Sequence, residues 1–87
     1  MPGLYFYFPP GKIRPIELIT IESESSIFLR TQGDWVEHPH MAEVMDHLPE
    51  LVVFEYEAQA AFDLYDLAEH ENRSIDLKEL NPLFKLF

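Results

Sequence analysis

The fold turns on two runs, Ile16-Glu17-Leu18-Ile19-Thr20-Ile21-Glu22 and Ile27-Phe28-Leu29-Arg30-Thr31. In the first, Ile16, Leu18, Thr20 and Glu22 alternate with Glu17, Ile19 and Ile21. Successive side chains of a strand point to opposite faces of its sheet. Both faces of this strand, read from Ile13 to Glu22, are apolar in the middle, which predicts a central position. Pro15 has no amide hydrogen for a ladder and belongs near the strand's start. Glu22-Ser23-Glu24-Ser25-Ser26 is polar and reads as the hairpin connection to the second run. Gln32-Gly33-Asp34 is a further turn, from which Trp35-Val36-Glu37 returns as a short strand.

Upstream, Leu4 to Phe8 is aromatic and strand-like. Pro9-Pro10-Gly11 then supplies a preset φ and a residue that accepts φ > 0, the requirements of a tight turn. The first 37 residues therefore predict an antiparallel meander. Tyr5, Phe6, Tyr7 and Phe8 occupy both faces of one strand, so either both are covered or one is an apolar patch.

Downstream the texture changes at His38-Pro39-His40. Met41, Val44, Met45 and Leu48 repeat at helical spacing and Pro49 stops them, giving a short helix over about 40–48. Leu51 to Tyr56 is β-branched and aromatic and reads as a strand. Leu51, Phe54, Ala58, Ala61, Tyr65 and Ala68 also fit a long helix opened by Pro49, which is the alternative. Glu57 to Glu71, rich in Ala, Leu and Glu, is the clearest helix. Asn72-Arg73-Ser74 breaks it. Asp76, with Glu79 three residues on, resembles a capping box for a last short turn that Asn81-Pro82 interrupts. The expectation is one α+β domain over residues 1–87, with a β-rich part at about 4–37 and a helical part at about 38–87. A sheet of three to five strands, mostly N-terminal, is covered on one face by one long and one or two short helices.

The chain has 87 residues, 47% of them hydrophobic, too apolar for disorder and too few for two cores. It has no cysteine, which excludes disulfides, thiolate metal sites and thiol nucleophiles. Met1-Pro2-Gly3-Leu4-Tyr5 shows no secretory signal and no apolar run spans a membrane, so a cytoplasmic location is expected. The net charge of −10 argues against direct binding of nucleic acid or of an anionic membrane surface.

That charge is unevenly spread. Residues 34–71 hold Asp34, Glu37, Glu43, Asp46, Glu50, Glu55, Glu57, Asp63, Asp66, Glu69 and Glu71, with no Lys or Arg. The rest of the chain holds all six basic residues and five acidic ones. A solvated acidic face keeps a protein soluble; it also selects basic partners and speeds their association. The reading adopted is a non-catalytic domain that binds a basic protein surface through Glu43, Asp46, Glu50, Glu55, Glu57, Asp63, Asp66, Glu69 and Glu71. An alternative is DNA mimicry, with spaced carboxylates imitating phosphates to inhibit a nucleic-acid-binding protein. A homodimer through the aromatic strand or the tail 82–87 is a further partner reading.

Ala61-Phe62-Asp63-Leu64-Tyr65-Asp66, followed by Ser74-Ile75-Asp76-Leu77-Lys78-Glu79-Leu80, resembles an EF-hand. The resemblance covers about residues 61–87 and implies a Ca²⁺ loop ending in a bidentate Glu. Twelve positions counted back from Glu79 begin at Ala68 and put Arg73 where the family has Gly. Fourteen positions begin at Asp66, as in pseudo-EF-hands, making Asp66 and Glu79 the carried-over ends. His40, Glu43 and His47 would share a helical face, with His38 nearby, a second conceivable metal group but not of HExxH spacing. No nucleophile motif or phosphate loop is present, so neither an enzyme nor a bound cofactor is expected.

Overall fold

The computed structural model describes residues 2–11, 14–48, 51–53 and 55–84, with side chains at all of these but 51, 56 and 81–84. Strands β1 (Gly3–Tyr7), β2 (Glu17–Ser23), β3 (Ser26–Thr31) and β4 (Asp34–Glu37) form the antiparallel meander. Helix α1 (Met41–Asp46) then leads to β5 (Leu51–Val53), which pairs antiparallel with β1. The sheet order is β4-β3-β2-β1-β5, so the strand apolar on both sides is the central one. A 3-10 turn at Glu55–Glu57 opens helix α2 (Ala58–His70), and α3 (Leu77–Phe84) follows. The architecture is α+β.

The turns follow from their residues. Gln32 and Gly33 both have positive φ, 50° and 77°, the two-residue hairpin geometry whose twist matches that of the strands. The capping box forms: Asp76 Oδ1 accepts the Lys78 N–H at 3.0 Å and Glu79 Oε2 accepts the Asp76 N–H at 2.9 Å.

Four expectations need adjustment. The sheet is covered on both faces, not one. Phe6, Leu18 and Val53 pack with Ala61, Ala68, Ile75 and Leu80 on the α2–α3 side. Tyr5, Tyr7, Ile19, Ile21 and Ile27 pack with Val44 of α1 on the other. Alternating apolar residues on β1 and β2 demand two covers. Residues 51–53 are strand and the long helix begins only at Ala58, so neither single reading of 51–56 holds throughout; Phe54 lies outside the described residues. Helix α1 is shorter than expected, with His40 and His47 as its non-helical caps. Finally, α3 runs through Pro82. The lost N–H would have bonded the Lys78 carbonyl, and burial of Leu80 in the core holds the element despite it.

Candidate functional site

The acidic segment extends from β4 through α1, β5 and α2, so its carboxylates lie on several sides of the domain. Three arginines from outside the segment pair with it. Arg14, between β1 and β2, makes a two-pronged contact with Glu43 of α1, one prong at 3.2 Å. The Tyr7 hydroxyl donates to the same carboxylate at 3.0 Å. These bonds hold the Glu43 carboxyl below its ordinary pKa, chiefly through Arg14. Burial, reinforced by that carboxylate, pushes the Tyr7 phenol up to about 12.

Arg30 of β3 grips Asp66 of α2 with two bonds, 3.1 and 2.7 Å. Its guanidinium lies 5.4 Å from the ring centre of Trp35 and 4.9 Å from that of Phe62, and those two rings meet edge to face. Asp34 and Glu69 also act on Arg30, so one cation sits among three carboxylates. Glu69 accepts the Thr31 hydroxyl at 3.1 Å and the Gln32 N–H at 2.6 Å, tying α2 to the β3–β4 turn. Arg73 bridges Glu71 and Glu79 at 2.8 and 2.9 Å.

The nine carboxylates expected to face a partner thus divide. Glu43, Asp66 and Glu71 are ion-paired, Glu69 fastens a turn, and Asp63 accepts from Gln59. Glu57 has one oxygen buried without a hydrogen bond among the described residues. Asp46 and Glu55 are exposed and, among the described residues, form no ion pair. Glu50 lies outside the described residues. Asp34 and Glu37 of β4 add two exposed carboxylates at the sheet edge. The pairing register and the His38 N–H bond to Ile27 turn the Trp35 and Glu37 amides outward along that edge. Asp34 Oδ1 accepts the Trp35 N–H at 2.8 Å, so its own side chain occupies a donor that another strand would use.

The conceivable metal groups are dispersed. Asp66 sits inside α2 on Arg30, and Glu79 sits in the first turn of α3 on Arg73; the last turn of α2 and the start of α3 take up part of the stretch between them, so it is not one continuous loop. His38 is buried on Glu17 at 2.8 Å, while His40 and His47 cap opposite ends of α1. Among the described residues no group of three or more His, Asp or Glu could hold a metal ion. A cavity of about 270 Å³ lies between the start of β2 and the α2–α3 connection, floored by Ile16, Ala68 and Ile75. Arg73 and Glu69 at its rim are already engaged, as above.

The arginine pairings span 29 and 36 residues and left no local signal in the sequence; only adjacency across the sheet creates them. No helix among the described residues is long and apolar enough to cross a membrane. No protein-family model, curated protein or solved structure matches this chain.

Proposed function

We propose that the domain binds a protein partner through electrostatic contact between its acidic segment and a basic surface, without catalysis. The observation that supports this reading is the surplus left after internal pairing. The segment has eleven carboxylates and no Lys or Arg of its own, and Arg14, Arg30 and Arg73 engage three of them. Asp34, Glu37, Asp46, Glu55 and Asp63 remain exposed without an ion pair among the described residues. Fixed surface charge of one sign accelerates encounter with the opposite sign and rejects like-charged partners. Contact by strand addition at β4 is disfavoured by Asp34 and Glu37 on that short edge.

The test is affinity capture at about 50 and 500 mM salt, since a Debye length near 10 Å at 0.1 M shrinks to about 3 Å at 1 M. The partner is expected to elute at high salt, and to be lost at low salt when Asp46, Glu55 and Asp63 become amides. Binding indifferent to ionic strength would sink the proposal. Duplex DNA added to the captured complex discriminates the mimic reading: displacement supports it and simultaneous binding refutes it.

A further inference from the structure

The two edges of the sheet are finished differently. Strand β4 carries Asp34 and Glu37 at one edge, and the Asp34 side chain already holds the Trp35 amide. Strand β5, at the other edge, is Leu51-Val52-Val53, with no charged residue in it. Open edges are ordinarily guarded by charge, proline or a covering element, because their unpaired N–H and C=O groups invite another strand.

The ladder register fixes where the β5 backbone points. In an antiparallel sheet, successive residues of a strand turn their N–H and C=O alternately to the two neighbours. The His38 N–H bonds the Ile27 carbonyl, so Ile27 faces β4 and Phe28 faces β2. Phe28 lies opposite Thr20, so Ile19 faces β1. Ile19 lies opposite Tyr5, so Leu4 and Phe6 face β5, where they meet Val53 and Leu51. The Val52 N–H and C=O therefore point away from the sheet. Among the described residues no hydrogen bond reaches them. The Val52 side chain, opposite Tyr5 and so on the α1 side, is 47% exposed, and Leu48, just past α1, is exposed as well.

We propose that the β5 edge accepts, as an added strand, an extended segment of a basic protein partner, an inference that rests on the electrostatic reading above and gives it a place. The Val52 N–H donates to the segment and the Val52 C=O accepts from it, as in other cases of strand addition. An apolar residue of the segment lies beside Val52, and lysine or arginine alternates with it on the α2 side. One outward backbone pair supplies only two bonds, so opposite charge has to supply the remainder. Glu55, two residues past Val53, and Asp63 of α2 are exposed and form no ion pair among the described residues. No Lys or Arg lies between Thr31 and Asn72 to neutralise them locally. A second copy of the chain would bring its own net charge of −10 to the same edge and is repelled.

The probe is a labelled peptide, acetyl-Lys-Val-Lys-Val-Lys-Val-Lys-amide, with binding read by fluorescence anisotropy at about 50 and 500 mM salt. Its analogue N-methylated at the valines keeps the charge but lacks the amide hydrogens that would face β5. The peptide is expected to bind at low salt and to protect the Val52 amide from hydrogen exchange. Val52→Pro removes only an outward N–H, so it should leave the ladder to β1 intact while weakening binding about tenfold. Val52→Lys, which keeps the donor but opposes a basic segment, should weaken it as much and decides the matter if the proline variant does not fold. The N-methylated analogue should bind about tenfold more weakly than its parent. No binding at low salt overturns the proposal. So does equal binding by both variants and by the analogue; if that binding still falls with salt, the edge fails and the electrostatic reading stands. Edge-dependent binding that ignores salt overturns the basic partner and the electrostatic reading together. A wild-type dimer that Val52→Pro converts to monomer in sedimentation gives the edge to a second copy and overturns the proposal.

Discussion

The two faces of the sheet are closed by different physics. On one, α2 and α3 bring Ala61, Ala68, Ile75 and Leu80 against Phe6, Leu18 and Val53. On the other, α1 brings Val44 as its one fully buried residue, over strand residues that are just as apolar. The longer cover stands on area removed from water, worth about 25 cal/mol per Å². The shorter one is also tied by polar contacts, Glu43 with Arg14 and Tyr7, and His38 with Glu17. Equal apolar content in the strands thus does not imply equal covers.

The sharpest way to break the comparison is truncation on each side. Phe6→Ala on the α2 side should cost about 3–5 kcal/mol, and Val44→Ala on the α1 side about 2 kcal/mol, both read from urea midpoints. Equal losses would erase the difference.

Alkaline titration compares the faces through one phenol each. Burial, with nearby carboxylates, raises Tyr7 on the α1 side and Tyr65 on the α2 side from 10.0 to about 12. A raised acid binds its proton more tightly when folded, so its contribution is whole below pH 10 and is lost as pH climbs towards 12. Urea midpoints should fall across that window, and Tyr7→Phe and Tyr65→Phe should each remove part of the slope. On the acid side the sign reverses. The lowered carboxyls of Glu43 and Glu79 contribute in full above their ordinary range, and that contribution is lost as pH falls below it towards their lowered values.

Polar ties on the α2 side give smaller effects. Asp66→Asn leaves the half-enclosed Arg30 with a neutral partner and should cost about 1–2 kcal/mol, with a red shift of Trp35 emission. Asp76→Ala removes the cap of α3 and should cost about 1 kcal/mol in the same assay. The smallest change is Gln32→Asn, expected to add up to about 0.5 kcal/mol because Asn tolerates positive φ better.

Much of the fold was legible in the letters. The meander, the central β2, the Gln32-Gly33 turn and the Asp76–Glu79 capping box are local patterns, and local patterns are what a sequence displays. Helix α3 running through Pro82 was not legible, because burial of Leu80 is a tertiary event. The acidic segment was legible as a segment but not as a surface. Asp66 and Glu69 carry the same letters as Glu55 and Asp63, yet they fasten α2 to β3 and its turn.

The sequence by itself determined the α+β class, the apolar alternation on both sides of the central strand, and a charge imbalance confined to residues 34–71; that both faces of the sheet carry a helical cover was decided by the tertiary structure. The tertiary structure decided which helix covers which face and which carboxylates that imbalance leaves exposed. The reason is range. Side-chain alternation and turn chemistry act over a few residues, whereas Arg14 meets Glu43 and Arg30 meets Asp66 only after the sheet has brought distant chain segments together.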